Sequence, residues 1–135
     1  MSTRPEQCPC GGGPYAECCG PFHAGRAEAP TAAALMRSRY SAFALGLADY
    51  LWRTWHPRTR PAPEELAHVV GDTTWTRLDL LDVSGGSERA QQGVVEFIAH
   101  FRDGRRRGSM RERSRFERRG SRWLYLDAEQ SGRIP

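Results

Sequence analysis

The chain has 135 residues, 39% of them hydrophobic, with four Trp, five Phe and four Tyr, which is enough apolar material for a folded domain and too much aromatic content for a disordered one. Its formal charge is +4, and all twenty basic residues are arginine. Ten of these fall between residues 102 and 122 against only Asp103, Glu112 and Glu117, so the basicity belongs to one region.

The N-terminal stretch MSTRPEQC has no hydrophobic core and no long apolar run follows it, so neither a secretory leader nor a spanning helix is expected and the cytoplasm is the expected compartment. Residues 1–25 are dominated by Cys, Gly and Pro and show no hydrophobic period; they read as a loop-rich knuckle that cannot fold by core burial alone. The texture changes at Pro30-Thr31. Thr31 can cap a helix whose apolar positions Leu35, Met36, Tyr40, Phe43 and Ala44 recur at helical spacing. Gly46 interrupts it, a second piece runs through Leu51, Trp52 and Trp55, and His56-Pro57 marks its end, because proline disfavours α geometry in the residue before it. A Pro-rich link leads to a short helix around Glu64 to Val69.

From Thr73 the period becomes two. Strands are predicted over Thr74–Val83, Gly93–Phe101, Met110–Arg118 and Trp123–Leu126, separated by Gly-containing turns. Helices first and strands after predict an α+β domain over residues 26–135, with helices packed on one face of an antiparallel sheet.

All four cysteines lie in CPCGGGPYAECCG, residues 8–20. Four sulfurs about 2.3 Å from one tetrahedral ion lie about 3.8 Å apart, so closely spaced cysteines can share a metal, and the glycines allow the reversal that brings the two pairs together. A reducing compartment opposes disulfides, and bridges across so small a loop would be strained. One structural zinc held by Cys8, Cys10, Cys18 and Cys19 is the expected state, with disulfides, free redox thiols or an iron–sulfur cluster as the alternatives.

The same stretch resembles the SEC-C motif, a small zinc knuckle at the end of the SecA motor, with the pattern Cys-x-Cys, eight residues, then Cys followed by Cys or His. More of the chain, LMRSRYSAF (35–43), DYLWRTWHP (49–57), VEFIAHFRDG (95–104), ERSRF (112–116) and WLY (123–125), resembles the bacterial YchJ family. That resemblance implies an SEC-C knuckle preceding a cystatin-like roll of the nuclear-transport-factor (NTF2-like) type, and it carries no substrate. Seven residues rather than eight separate Cys10 from Cys18, which makes His23 an alternative ligand, and Arg111 stands where the family usually has His.

Within the roll, alternation puts Glu112 and Ser114 on the inward side with Met110 and Phe116. A carboxylate facing a core needs a partner; Arg37 or Arg39 is the expected one. Tyr40, Trp55 and His56 complete the pocket candidates, His56 having helix-end packing as its plainer role. Glu96 and His100 share a strand face but lie about 13–14 Å apart, too far to act as a dyad. Arg111, Arg113 and Arg115 should form an outward ladder, either a solvated face or a surface for nucleic acid, although no aromatic residues interleave it as a stacking platform requires.

No catalytic constellation stands out. Two functions follow: a noncatalytic module whose knuckle meets a protein or ribonucleoprotein partner, which the SEC-C resemblance favours, or a small-molecule-binding protein or enzyme using a cavity in the roll. An open cavity with Glu112 free of arginine supports the second; a filled one with Glu112 locked to arginine supports the first.

Overall fold

The structure is a computed structural model and describes residues 5–70 and 73–134. Of the knuckle expected over residues 1–25, residues 1–4 lie outside the described residues. A 3-10 turn, Tyr15–Glu17, precedes helix α1, Gly20–His23, a short helix within the stretch that the sequence reads as loop. Helices α2, Ala32–Leu45, α3, Ala48–Arg53, and α4, Pro63–Val69, follow. Strands β1, Thr74–Gly85, β2, Gln92–Asp103, β3, Arg106–Arg119, and β4, Arg122–Ile134, pair antiparallel in that order as one sheet. None of the described helices is long and apolar enough to cross a membrane.

The long helix α2 starts where the sequence predicts. Thr31 is extended and its Oγ1 accepts from the Ala34 N–H at 3.0 Å, so one of the free donors at the helix start is satisfied. Gly46, at φ +74°, ends the helix in the left-handed region that glycine enters at little cost. The β1–β2 turn tucks under the start of α2, where the Ala32 N–H donates to the Gly86 carbonyl at 3.0 Å. That approach is close enough to require glycine: a Cβ at position 93 would lie 2.5 Å from Gly86 Cα.

Val95, Phe97 and Ala99 of β2 point inward and are buried, as the alternation predicts. They join Leu35, Met36 and Phe116 in a cluster that also takes in Cys8, Cys10, Tyr15 and Cys19. Each fully buried Leu, Val or Phe contributes about 1.5–3 kcal/mol, so the knuckle shares the main apolar interior of the roll. A second cluster of Ala42, Tyr50, Leu51 and Leu66 fixes α3 and α4 against α2. The chain then returns to the sheet through Trp55–His56, where the His56 N–H donates to the Tyr125 carbonyl at 2.7 Å and the Tyr125 N–H to that of Thr54 at 2.9 Å.

Candidate metal centre and cavity

The CPC and CC pairs are brought together by the glycine loop. The Cys8 N–H donates to the Gly13 carbonyl at 2.8 Å and the Gly11 N–H to that of Cys8 at 3.0 Å. The four Sγ atoms lie within 4.8 Å of one another. Cys10 is 3.4 Å from Cys18 and 3.8 Å from Cys19, and Cys18 is 4.0 Å from Cys19, bracketing the spacing of about 3.8 Å that tetrahedral thiolates adopt around one ion. Gly12 forms the floor beneath them: a Cβ there would stand 2.8 Å from Cys18 Sγ. The cluster therefore has the geometry and the donor chemistry to hold one metal ion.

With thiols crowded in this way, one thiolate is favoured. Hydrogen bonds from Cys10 and Cys19 hold the Cys8 thiol far below its ordinary range. Burial pushes Cys18 up to about 12, and Cys19, beside Cys10 and Cys8, is raised further. A cation would offset the repulsion among four thiolates.

His23 does not join the thiols. Its Nε2 donates to the Ser38 carbonyl at 2.8 Å, which leaves Nδ1 to accept from the Tyr15 hydroxyl at 2.6 Å. Burial lowers its pKa and favours the neutral ring. Both nitrogens are thus engaged, Nε2 tying the knuckle to α2 and Nδ1 bonding within the knuckle. Other contacts from α2 hold the knuckle: Ser41 donates to Cys19 Sγ at 3.4 Å and lies 3.3 Å from Cys8 Sγ, and Arg37 Nη1 donates to the Cys10 carbonyl at 3.3 Å; from α3, Arg53 Nη2 donates to the His23 carbonyl at 3.0 Å.

The opposite side of α2 walls a cavity of about 380 Å³. Met36, Arg39, Tyr40 and Phe43 of α2 form that wall; Trp75, the inward residues Phe97, Ala99 and Phe101, the exposed Asp103, and Met110, Glu112, Ser114 and Tyr125 line it from the sheet, and Trp55, Val70 and Thr73 complete the lining. Positions 37, 38 and 41 face the knuckle and 36, 39, 40 and 43 face the cavity, the division that 3.6 residues per turn produces. Tyr40 lies between the two sites: burial, and then the nearby Cys10, raise its phenol to about 12.

Glu112 points inward as the alternation predicts, but its partners differ from the expectation. Its Oε2 accepts from Ser114 Oγ at 2.5 Å and Tyr125 Oη at 3.1 Å, and burial followed by this carboxylate raises the Tyr125 phenol. Neither expected arginine pairs with it. Arg37 is turned to the knuckle. Arg39, 4% exposed, uses Nη1 on the Leu51 carbonyl and Thr54 Oγ1, both at 2.8 Å. Its guanidinium lies 4.7 Å from the Tyr125 ring centre and 5.1 Å from that of Trp55, where cation–π attraction supplements the two hydrogen bonds. Burial pushes its pKa down to about 10.

His56 is not among the cavity-lining residues. Its Nδ1 accepts from the Arg58 N–H at 3.1 Å and its Nε2 reaches Glu117 Oε1 at 3.3 Å, so among the described contacts it closes the turn after α3 rather than entering the pocket. Tyr40, Trp55, Glu112 and Ser114 all line the cavity. Among the polar lining residues that the sequence did not place there are Tyr125, Asp103 and Arg39, the last read only as a counter-ion; its position in RSRY, one residue from inward Tyr40, was the available signal.

The ladder of Arg111, Arg113 and Arg115 faces outward with its charges matched. Arg111 meets Glu96 at 2.6 Å, Arg113 meets Asp82 at 3.1 Å and Glu96 at 3.3 Å, and Arg115 forms two 2.6 Å bonds with Asp127. His100 pairs with Asp79 at 2.8 Å, so Glu96 and His100 are engaged separately.

A metal-competent cysteine knuckle packed on an α+β roll with an open interior defines the class of protein. The model of the YchJ middle NTF2-like domain matches residues 31–128, and the chain belongs to the YchJ family. A UPF0225 protein of Streptomyces coelicolor is 52% identical over 130 residues, spanning 96% of this chain and 98% of the relative. Another, from Deinococcus radiodurans, is 50% identical, spanning 90% and 87%. Among solved structures, a SEC-C motif containing protein from Rhodopseudomonas palustris superposes with a TM-score of 0.81 at 37% identity, covering 91% of this chain and 97% of its own. A second SEC-C motif containing protein, from Psychrobacter arcticus, gives 0.77 at 27%, covering 96% and 85%. The fold and the knuckle are those that the resemblance implies.

Proposed function

We propose that this chain is a small-molecule-binding protein whose roll holds the ligand and whose knuckle carries a structural zinc ion that fixes the cavity wall. The observation that carries the reading is the open cavity with Glu112 and Arg39 in its lining and no ion pair between them. Four thiolates at tetrahedral spacing suit zinc and close its coordination shell, which leaves no position for substrate and makes the ion a structural element. Zinc held by Cys8, Cys10, Cys18 and Cys19 would anchor α2 through Ser41, so that Arg39 and Tyr40 project from a fixed helix.

The alternative, a knuckle that docks on a protein or ribonucleoprotein, draws less support. Cys8, Cys10 and Cys19 are buried and the knuckle is bonded along its length to α2. Nucleic-acid binding by the arginine ladder is weakened by the carboxylate opposite each arginine.

A fragment screen by NMR tests the reading, with the indole signals of Trp55 and Trp75 as reporters. Saturable shifts in the wild-type protein, lost when Ala99→Phe fills the cavity, are the expected result. A screen in which no fragment moves either indole contradicts it.

A further inference from the structure

We propose that the part of the cavity where Arg39 and Glu112 both meet Tyr125 recognises a neutral, largely apolar molecule through an amide-like pair, a carbonyl-type oxygen bound by Arg39 beside an N–H or O–H group bound by Glu112. This rests on the ligand-binding reading and names the chemical class that the site takes.

The unused hydrogen-bonding capacity specifies that pair. Arg39 spends only Nη1 on protein acceptors; no described residue accepts from its Nε or Nη2, and no described carboxylate lies within 4.0 Å of it. Burying a guanidinium in this way is costly unless an acceptor arrives. Glu112 receives Ser114 and Tyr125 on Oε2, which leaves Oε1 without a described donor. Two further groups of lining residues, the Tyr40 hydroxyl and the Trp55 indole N–H, are buried without a partner among the described residues. Beside Arg39, unused donors therefore await an oxygen-bearing ligand, while Glu112 Oε1 remains for a ligand donor.

Charge selects against ions. Arg39 and Glu112 line the same cavity and offset each other locally, while Asp103, the third charged lining residue, is exposed and adds a negative charge; a carboxylate drawn to Arg39 therefore meets Glu112, and an ammonium drawn to Glu112 meets Arg39. A neutral donor–acceptor pair satisfies both. The rest of the wall, including Phe43, Trp75, Phe101 and Met110, accommodates an apolar body. The volume of about 380 Å³ lies within the roughly 300–1,000 Å³ of small-molecule sites.

Four probes that share one phenyl ring separate the possibilities on the metal-loaded full chain: benzamide, benzoate, benzylammonium and toluene, titrated while the Trp55 and Trp75 indole signals are followed. Benzamide is expected to bind about tenfold more tightly than either ion and more tightly than toluene. Glu112→Gln keeps acceptors for Ser114 and Tyr125 but removes the charge, and should raise benzoate affinity towards that of benzamide. Benzoate, benzylammonium or toluene matching benzamide on the wild-type protein overturns the proposal while leaving the cavity a ligand site. So does a benzoate affinity that Glu112→Gln leaves unchanged. If none of the four moves either indole, the ligand-binding reading fails with it.

Discussion

The two sides of helix α2 handle polar groups in opposite ways. Towards the knuckle, Ser38, Ser41 and the facing His23 have their polar side-chain atoms met by protein partners, and the small serines let the thiol cluster approach the helix. Towards the cavity, Arg39 has donors to spare and Tyr40 has a buried hydroxyl with no partner among the described residues. A fully satisfied polar network rigidifies, whereas an unsatisfied one costs stability until something binds. One helix thus serves as a fixed mount on one side and a binding wall on the other.

That contrast can be broken most severely at the metal centre. Cys19→Ser removes a buried thiol that faces Ser41 and Cys10; metal content by elemental analysis should drop, and thermal melting should show a loss of several kcal/mol, the largest effect of the series. Because the knuckle shares the main core, the loss extends to α2 and is not confined to the N-terminal segment.

Ser41→Ala keeps every thiol but deletes the hydroxyl between Cys8 and Cys19. A destabilisation of about 1 kcal/mol is expected by denaturant unfolding, with metal content unchanged. A loss of metal in this variant would place Ser41 in the metal site itself.

His23 gives a pH signature. Burial depresses its folded pKa below the ordinary value of 6.5, so the stability it contributes is present above that value and is lost as pH falls through the folded pKa, because the unfolded chain takes up the proton first. The melting temperature of the metal-loaded protein should fall between pH 7.5 and 5.5, and by less in His23→Gln. On the outer face, Arg113→Gln should leave melting unchanged, since an exposed ion-pair lattice contributes little; it is the smallest effect and the control for the others.

The sequence made much of this legible where periodicity governs. Thr31 as a cap, Gly46 as a stop and the period-two run from Val95 to Phe101 place α2 and β2, and alternation alone puts Glu112 and Ser114 inside. Side-chain reach is a different matter. Which arginine meets Glu112 depends on the rotation of α2 against β3, and the helix turns Arg37 to the knuckle and gives Arg39 to Leu51 and Thr54. The neutralised ladder was hidden for a related reason: Glu96 stands opposite Arg113 and Asp127 opposite Arg115 only once strand register is known. Cysteine spacing likewise shows that the thiols can share a metal but says nothing about what packs behind them, so the burial of Cys8, Cys10 and Cys19 against the roll had no signal in CPCGGGPYAECCG. Strand β4 continues to Ile134, beyond the predicted end at Leu126, because the polar segment from Asp127 pairs through its backbone and needs no apolar alternation.

The central claim is that the metal-bearing knuckle holds the cavity wall in place. It is tested most directly by withdrawing metal stepwise with a chelator while benzamide binding is followed on the Trp55 and Trp75 indole signals of the same sample. The account predicts that bound metal and benzamide affinity fall together; benzamide binding that persists undiminished in metal-free protein would contradict it.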